Sequence, residues 1–317
     1  MTRLSFVIPC YRSEHTIKKV VEEIINTVRA HSQYSYEIIL VSDSSPDNVF
    51  EVINTMCENN KNIIGIELSQ NFGQHAALMS GYRAATGDLI ISLDDDGQTP
   101  ANEVFKLINK IDEGYDVVYA SYNERKHNVL RRMGSLINDV MAEQLINKPK
   151  NLKTTSYFVA KRFVINEIIK YKNPYPYIIG LVLRTTNNIT NVAVVHRERM
   201  HGISGYNLKR LYSLWLNGFT AFSIKPLRIA TLLGVICACF GFLYGSYTVV
   251  NKIINPATPA GYSSLMSALL FIGGMLMLIL GLIGEYIGRV YISLNSSPQY
   301  VIRKKVSSYG HNSQNEN

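Results

Sequence analysis

Leu89-Ile-Ile-Ser-Leu-Asp-Asp-Asp-Gly-Gln98 is an apolar run that ends abruptly in three adjacent carboxylates. A run this short, bounded by a turn, predicts a buried strand and not a helix. Three neighbouring carboxylates repel one another and are costly unless a cation or hydrogen-bond donors compensate. A strand alternates its side chains, so Asp94 and Asp96 can point to one side. Hard oxygen ligands suit Mg2+ or Mn2+, which keep waters and bridge phosphates. The other reading is a solvated acidic turn with one Asp capping a helix. The triplet alone leaves both open.

Moving outward, the same alternation of strand and helix recurs. Strands are expected at Leu4–Pro9, Glu37–Val41, Asn62–Leu68 and Asp116–Ala120, with helices at Glu14–His31, Asp47–Glu58 and Gln74–Ala85. Strands spaced by helices of this length predict βαβ units and a mostly parallel sheet, hence an α/β fold. Ligands of such sheets sit beyond the carboxyl ends of the strands. The polar loops Cys10–Glu14, Ser42–Asp47, Gln70–His75 and Asp94–Gln98 should therefore meet at one edge. Asp43 can accept hydrogen bonds from a base or ribose, or serve in a plain turn, while Asp47 is expected to cap the following helix. Asn71-Phe72-Gly73 leads into a helix whose first amides can bind phosphate, or is simply a turn. The chain has no P-loop and no G-x-G-x-x-G.

The C-terminal part differs in kind. The 317 residues carry a net charge of +8, and the mean hydropathy near zero averages a polar first part with an apolar region from Pro226 to Leu294. Leu227–Val250 carries one charge, Arg228 at its start, and Leu265–Gly284 carries none. Runs of about 20 residues cross a hydrocarbon core of ~30 Å. Two buried soluble helices are the alternative. Lys225 and Arg228 flank the start of the first run, and Arg289, Arg303, Lys304 and Lys305 follow the second. Only Lys252 lies between them, which places both ends in the cytoplasm. Tyr206–Phe222 mixes aromatic, aliphatic and basic residues, as an interfacial helix does. Arg197-Glu198-Arg199 before it can hold phosphate bidentately or form a basic rim on anionic lipid. Cys10, Cys57, Cys237 and Cys239 form no C-x-x-C pair, which argues against a zinc site or disulfide framework. No nucleic-acid-binding signature accompanies the basic charge. Leu4–Pro9 is too short for a signal peptide, so the polar part is expected to stay cytoplasmic, and the tail from Ser307 is expected to be disordered.

Taken together, these residues resemble the family-2 glycosyltransferases, and within them the polyprenyl-phosphate branch of bactoprenol glucosyltransferases and dolichol-phosphate mannose synthases. The resemblance runs from Phe6 to about Ile302. It rests on Val7–Glu14, Val41–Asp47, Asn71–Gln74, Ala85–Asp88, Leu93–Pro100, Arg199 with Gly202–Tyr206, Ser223–Leu227 and Gly281–Arg289, in that order. It implies a GT-A fold at residues 1–205, an interfacial segment at 206–225, a two-helix membrane hairpin at 226–294 (spans about 227–250 and 265–287) and a cytoplasmic tail at 295–317. It implies that Pro9, Tyr11, Glu14 and Asp43 surround the nucleoside. Asp96, with Asp94 beside it, would bind Mg2+ or Mn2+ on the diphosphate. Gln98 would lie near the donor sugar, and Arg199 and Ser204 would meet the lipid phosphate or the donor diphosphate. This chain departs from the family pattern at Ser42-Asp43, where two acids are common, and at Gly205, where Lys is usual. It departs again at Thr154–Phe158, which has no acid.

The implied activity is inverting transfer of one sugar from a nucleotide sugar, UDP-glucose being the first choice, to a polyprenyl phosphate at the cytoplasmic membrane face. Alternatives are a different lipid or glycan acceptor, or a non-catalytic nucleotide-sugar-binding scaffold. The expected partners are the donor, the polyprenyl phosphate and membrane lipid, with no nucleic acid and with a homo-oligomer left open.

Overall fold

The computed structural model describes residues 1–122, 148–150, 152–195, 197, 225–255, 261–294 and 298–308. The chain divides into two units, Met1–Leu211 with Ser296–Asn317, and Tyr212–Asn295.

In the first unit the expected strands form as β1 (Thr2–Cys10), β2 (Tyr34–Ser42), β3 (Ile63–Leu68), β4 (Leu89–Ser92) and β5 (Val117–Tyr122). Three further strands are β6 (Phe158–Lys161), β7 (Ile189–Val194) and β8 (Ile302–Ser307). One eight-stranded sheet results, in the order β7-β5-β6-β4-β1-β2-β3-β8. β1 lies at its centre, parallel to both β2 and β4. Leu4, Phe6, Val7 and Ile8 are all fully buried, which is why this strand reads as a continuous apolar run. Pro9 lies past the last β1–β4 pair, Val7↔Ser92, so the ladder to β4 never needs the N–H that proline lacks.

Helices α1 (Ile17–Arg29), α2 (Val49–Asn59), α3 (Gln74–Ala84), α4 (Val104–Asp112), α5 (Arg162–Ile168) and α6 (Ile178–Thr185) accompany the sheet. α1 buries Ile17, Val20, Val21, Ile24 and Val28, the spacing of one helical face. It begins three residues later than the sequence pattern suggests, because the chain first turns at Ser13–Thr16.

The sheet is more mixed than expected. β6 runs antiparallel to both β4 and β5, and β8 runs antiparallel to β3. β8 moves the start of the expected disordered tail past Ser307, which pairs with Ile64, and residues 309–317 lie outside the described residues. Val306 packs where β3 carries Gly65, whose absent side chain leaves the space. A Cβ there would lie 2.6 Å from Ile53 Cγ2 and 2.7 Å from Val306 Cγ2. Arg303 adds an ion pair to Glu67 at 3.6 Å and a bond to Ser69 O at 2.7 Å.

At the amino ends of the strands, buried Glu37 gathers Ser5 Oγ (2.5 Å), Arg3 Nη2 (2.8 Å) and the Thr86 amide (2.5 Å). Burial works against its charge, but the Ser5, Thr86 and Arg3 donors prevail and hold its carboxyl below the usual range. This network accounts for the motif Ala85–Asp88: it fixes the turn into β4, the strand that carries the three aspartates.

The second unit contains α7 (Lys225–Ile254) and α8 (Tyr262–Leu294). α8 is long and apolar enough to cross a membrane over Phe271–Gly288, and α7 has a shorter apolar core at Gly234–Tyr247. Phe240, Phe242, Leu243, Phe271, Leu276 and Met277 are exposed along them. The expected interfacial segment at 206–225 lies outside the described residues except for Lys225.

Candidate active site

The four polar loops at the carboxyl ends of β1 to β4 do meet, and each is hydrogen-bonded to another. Asp95 Oδ2 accepts the Tyr11 amide at 2.9 Å, and the Asp95 carbonyl accepts Thr16 Oγ1 at 2.7 Å, joining the β4 loop to the β1 loop. Glu14 and the neighbouring pair Asp47-Asn48 exchange bonds. The Glu14 amide donates to Asp47 Oδ2 at 3.0 Å, and the Asn48 amide donates to Glu14 Oε2 at 2.9 Å. Asp47 therefore does not cap α2 as expected. Asn48 takes the cap position without a side-chain bond, and Asp47 is drawn across to the first loop and to Ser45 Oγ. Two non-glycine residues in these loops, Arg12 (φ 58°) and Ser44 (φ 49°), adopt left-handed backbone, a local strain common where a site imposes the geometry.

Asp43 is buried, and both its oxygens are used. Oδ1 accepts the Phe72 amide and Oδ2 the Gly73 amide, each at 2.8 Å. Burial nevertheless pushes its carboxyl upward, against the pull of these two amides. Sequence reading offered Asp43 to the nucleoside. In the fold it also anchors the Asn71–Gly73 loop, and through it the start of α3. Gln74, the first residue of α3, donates from Nε2 to Asp94 Oδ1 at 3.1 Å. The second oxygen of Asp94 accepts Ser156 Oγ.

Asp96 Oδ1 accepts the Gln98 amide at 3.0 Å across Gly97, whose φ of 72° suits glycine. Gln98 in turn meets Arg197, whose amide donates to the Gln98 carbonyl at 3.0 Å. Of the three carboxylates, Asp95 is the one turned inward, and its carboxyl is pushed up to about 6, chiefly by burial. The Tyr122 hydroxyl is pushed up as well, by burial first and then by Asp94 and Asp96. Tyr11 is exposed at the rim and Pro9 half-buried beneath it.

Pro9, Tyr11, Glu14, Asp43, Asp94, Asp96 and Gln98 thus share one sheet edge. Arg199 and Ser204 lie outside the described residues. Sequence reasoning missed Gln74 and Ser156 as partners of Asp94. Ser156 sits in Thr154–Phe158, the segment searched for an acid, and its contribution is a hydroxyl.

Among the described residues, no three His, Cys, Asp or Glu side chains converge into a metal cage. Two carboxylates on an open loop fit a Mg2+- or Mn2+-type ion that completes its shell with waters and phosphate oxygens. The donor set at Asp94 and Asp96 is chemically suited to it.

An α/β sheet with an acidic loop at its carboxyl edge and a pair of apolar helices fit a glycosyltransferase of the GT-A fold, and the family matches show that class. Residues 5–169 match the family described as Glycosyl transferase family 2, and residues 225–290 match the GtrB C-terminal hairpin. The chain belongs to glycosyl transferase family 2. It is 32% identical to the uncharacterized glycosyltransferase YkcC of Bacillus subtilis, over 96% of this chain and 94% of the relative. It is 31% identical to the undecaprenyl-phosphate 4-deoxy-4-formamido-L-arabinose transferase of Yersinia pestis, over the same shares. With the SfII prophage-derived bactoprenol glucosyl transferase of Shigella flexneri it shares 30% identity, over 95% of this chain and 98% of the relative. Among solved structures, the fold is similar to glucosyl-3-phosphoglycerate synthase from Mycobacterium tuberculosis in complex with Mn2+, UDP and phosphoglyceric acid. The TM-score is 0.52 at 19% identity, covering 74% of this chain and 78% of that one.

Proposed function

We propose that this enzyme transfers one sugar from a nucleotide sugar, UDP-glucose first among candidates, to a polyprenyl phosphate at the cytoplasmic face of a membrane. The observation that carries the reading is the convergence of Asp94, Asp96 and Gln98 with the Tyr11 and Asp43 loops at one edge, in a chain that also carries an apolar hairpin. The named relatives that act on undecaprenyl phosphate or bactoprenol support the acceptor class.

In this reading Pro9, Tyr11, Glu14 and Asp43 border the nucleoside. Asp96 and Asp94 hold a Mg2+ or Mn2+ ion, which when bound neutralises charge on the departing diphosphate. Gln74 and Ser156 keep the Asp94 carboxylate fixed, and the Gln98 amide does the same for Asp96, so these oxygens are oriented before substrate arrives. The acceptor is a phosphate monoester, whose second pKa near 6 leaves its oxygen largely anionic at neutral pH. Such a nucleophile needs positioning and charge compensation more than proton removal. That is compatible with Thr154–Phe158, a segment that often carries an acid in relatives, offering here only the Ser156 hydroxyl to the site. Arg199 and Ser204 are assigned to the phosphate. Direct displacement by the lipid phosphate oxygen inverts the anomeric carbon and releases the nucleoside diphosphate.

Residues 1–205 are read as the cytoplasmic catalytic part and 226–294 as two spans. The pairing of β8 with β3 supports this topology. Residues 302–307 belong to the same sheet as the N-terminal strands, so a chain that leaves into the membrane must return to the same side. An even number of crossings satisfies that, and one does not.

The test is release of UDP from UDP-glucose by detergent-purified protein on addition of undecaprenyl phosphate, with and without Mn2+. A panel of other nucleotide sugars is run in parallel. No acceptor-dependent release with any donor refutes the proposal.

A further inference from the structure

Glu23 lies on α1, outside every sequence motif considered above, yet its carboxylate is tied to the segment that follows the three aspartates, at Ala101 directly and at Gln98 through Arg197. Oε1 accepts the Ala101 amide at 3.0 Å, at the start of the 3-10 turn Ala101–Glu103. Oε2 receives Arg197 Nη1 at 2.8 Å. The Arg197 amide donates to the Gln98 carbonyl at 3.0 Å, and Gln98 Nε2 reaches back to the Arg197 carbonyl at 3.5 Å. One carboxylate therefore holds the loop at Ala101 directly and at Gln98 through Arg197. Asp96 stands two residues before Gln98 and shares its amide.

α1 is a rigid support for this purpose. Its opposite face is locked into the core by Val20, Val21, Ile24 and Val28. Glu23 itself is about a quarter exposed and Arg197 less than half. A half-exposed ion pair of this kind contributes little to global stability. Its consequence is local: without it, the segment Gln98–Ala101 loses its tie to α1 at both flanks. Precise placement of a binding group depends on such supporting contacts.

We infer that Glu23 is a positioning residue for the donor–metal loop, acting through Ala101 and Arg197 to fix where Asp96 and Gln98 present themselves. The inference rests on the proposed donor site at Asp96 and Gln98.

The experiment compares full-length, detergent-purified wild type with Glu23→Ala, Glu23→Gln, Arg197→Ala and the Glu23→Ala/Arg197→Ala double variant. Amide hydrogen exchange of ligand-free protein reads the loop itself. Glu23→Ala is expected to speed exchange at Gln98 and Ala101 at least tenfold, with β1 and β2 unchanged. Calorimetric titration with UDP in the presence of Mn2+ reads the site. Glu23→Ala is expected to weaken binding about tenfold. Glu23→Gln, which keeps one acceptor oxygen, should weaken it about threefold. The double variant should be no weaker than about twofold beyond Glu23→Ala, because Glu23 and Arg197 act through one shared contact. A merely structural role would lower the melting temperature and leave the dissociation constant of the folded fraction unchanged. That result, or loop exchange unaltered in Glu23→Ala, overturns the inference. Wild type that binds neither UDP nor any other nucleoside diphosphate with Mn2+ refutes the donor site instead, and the exchange measurement still decides whether Glu23 holds the loop.

Discussion

Replacing Asp43 by Asn separates two roles that its position combines. The carboxylate accepts two backbone amides, Phe72 and Gly73, at 2.8 Å each, and only 4% of the residue is exposed. Asn keeps one acceptor oxygen and turns an amino group toward the other amide, so one bond is lost and one buried N–H is left facing a donor. A hydrogen bond to a charged group is worth about 1.5–3 kcal/mol, and an unsatisfied buried donor costs about as much. Against this, burial already disfavours the Asp43 charge, so the neutral amide recovers part of the desolvation cost. The expected net loss is about 2 kcal/mol. For a protein of this size that lowers the melting temperature by about 3 °C. The loop leads directly into Gln74, which holds Asp94, so binding of UDP with Mn2+ should weaken in parallel. Thermal unfolding in detergent and calorimetric titration of the same preparation measure both. Lost UDP affinity with an unchanged melting temperature would refute the anchoring role and leave Asp43 as a contact to the base alone.

Asp96→Asn should abolish transfer with folding and membrane association retained, whereas Asp95→Asn should act more mildly, through the Tyr11 loop it holds. Initial rates at varied Mn2+ check this, and near-normal rates for Asp96→Asn would remove its metal role. Gly65→Ala places a methyl within 2.7 Å of Ile53 and Val306 and should cost about 1–3 kcal/mol by overpacking. Proteolysis beyond Leu294 should then become faster as β8 loosens. The His75 imidazole, held down to about 4 by burial, has an unfolded value near 6.5. The unfolded chain therefore binds the extra proton first, and stability should fall as pH drops from about 6.5 toward 4. His75→Gln should flatten that part of the profile in melting experiments, and an unchanged slope would show that His75 does not set it.

Much of this arrangement was legible from local pattern. The first four strands bury their residues almost continuously, so each announces itself as an apolar run that ends in a polar loop, and a parallel sheet sends those loops to one edge. Asp94–Asp96 could be placed there from the sequence because its strand, Leu89–Ser92, stands directly before it. The apolar hairpin was equally plain, since uncharged runs of that length have few other uses.

What the sequence could not give was partnership across distance. Ser156 meets Asp94 from 62 residues away, and Glu23 meets Arg197 from 174 residues away. No periodicity encodes either pairing. β6 has only four residues, and β8 reads Ile-Arg-Lys-Lys-Val-Ser, too charged to resemble a core strand. Yet an edge strand needs just one face against the core, and charge on the other discourages further pairing. Val306 supplies that one contact and Gly65 the room for it. The residue types of the site follow from the sequence, because burial and turn chemistry act locally. Which carboxylates are held by neighbouring donors, as Asp94 and Asp96 are, and which also tie loops together, as Asp43, Asp47 and Asp95 do, depends on amides and hydroxyls brought together only by the folded sheet.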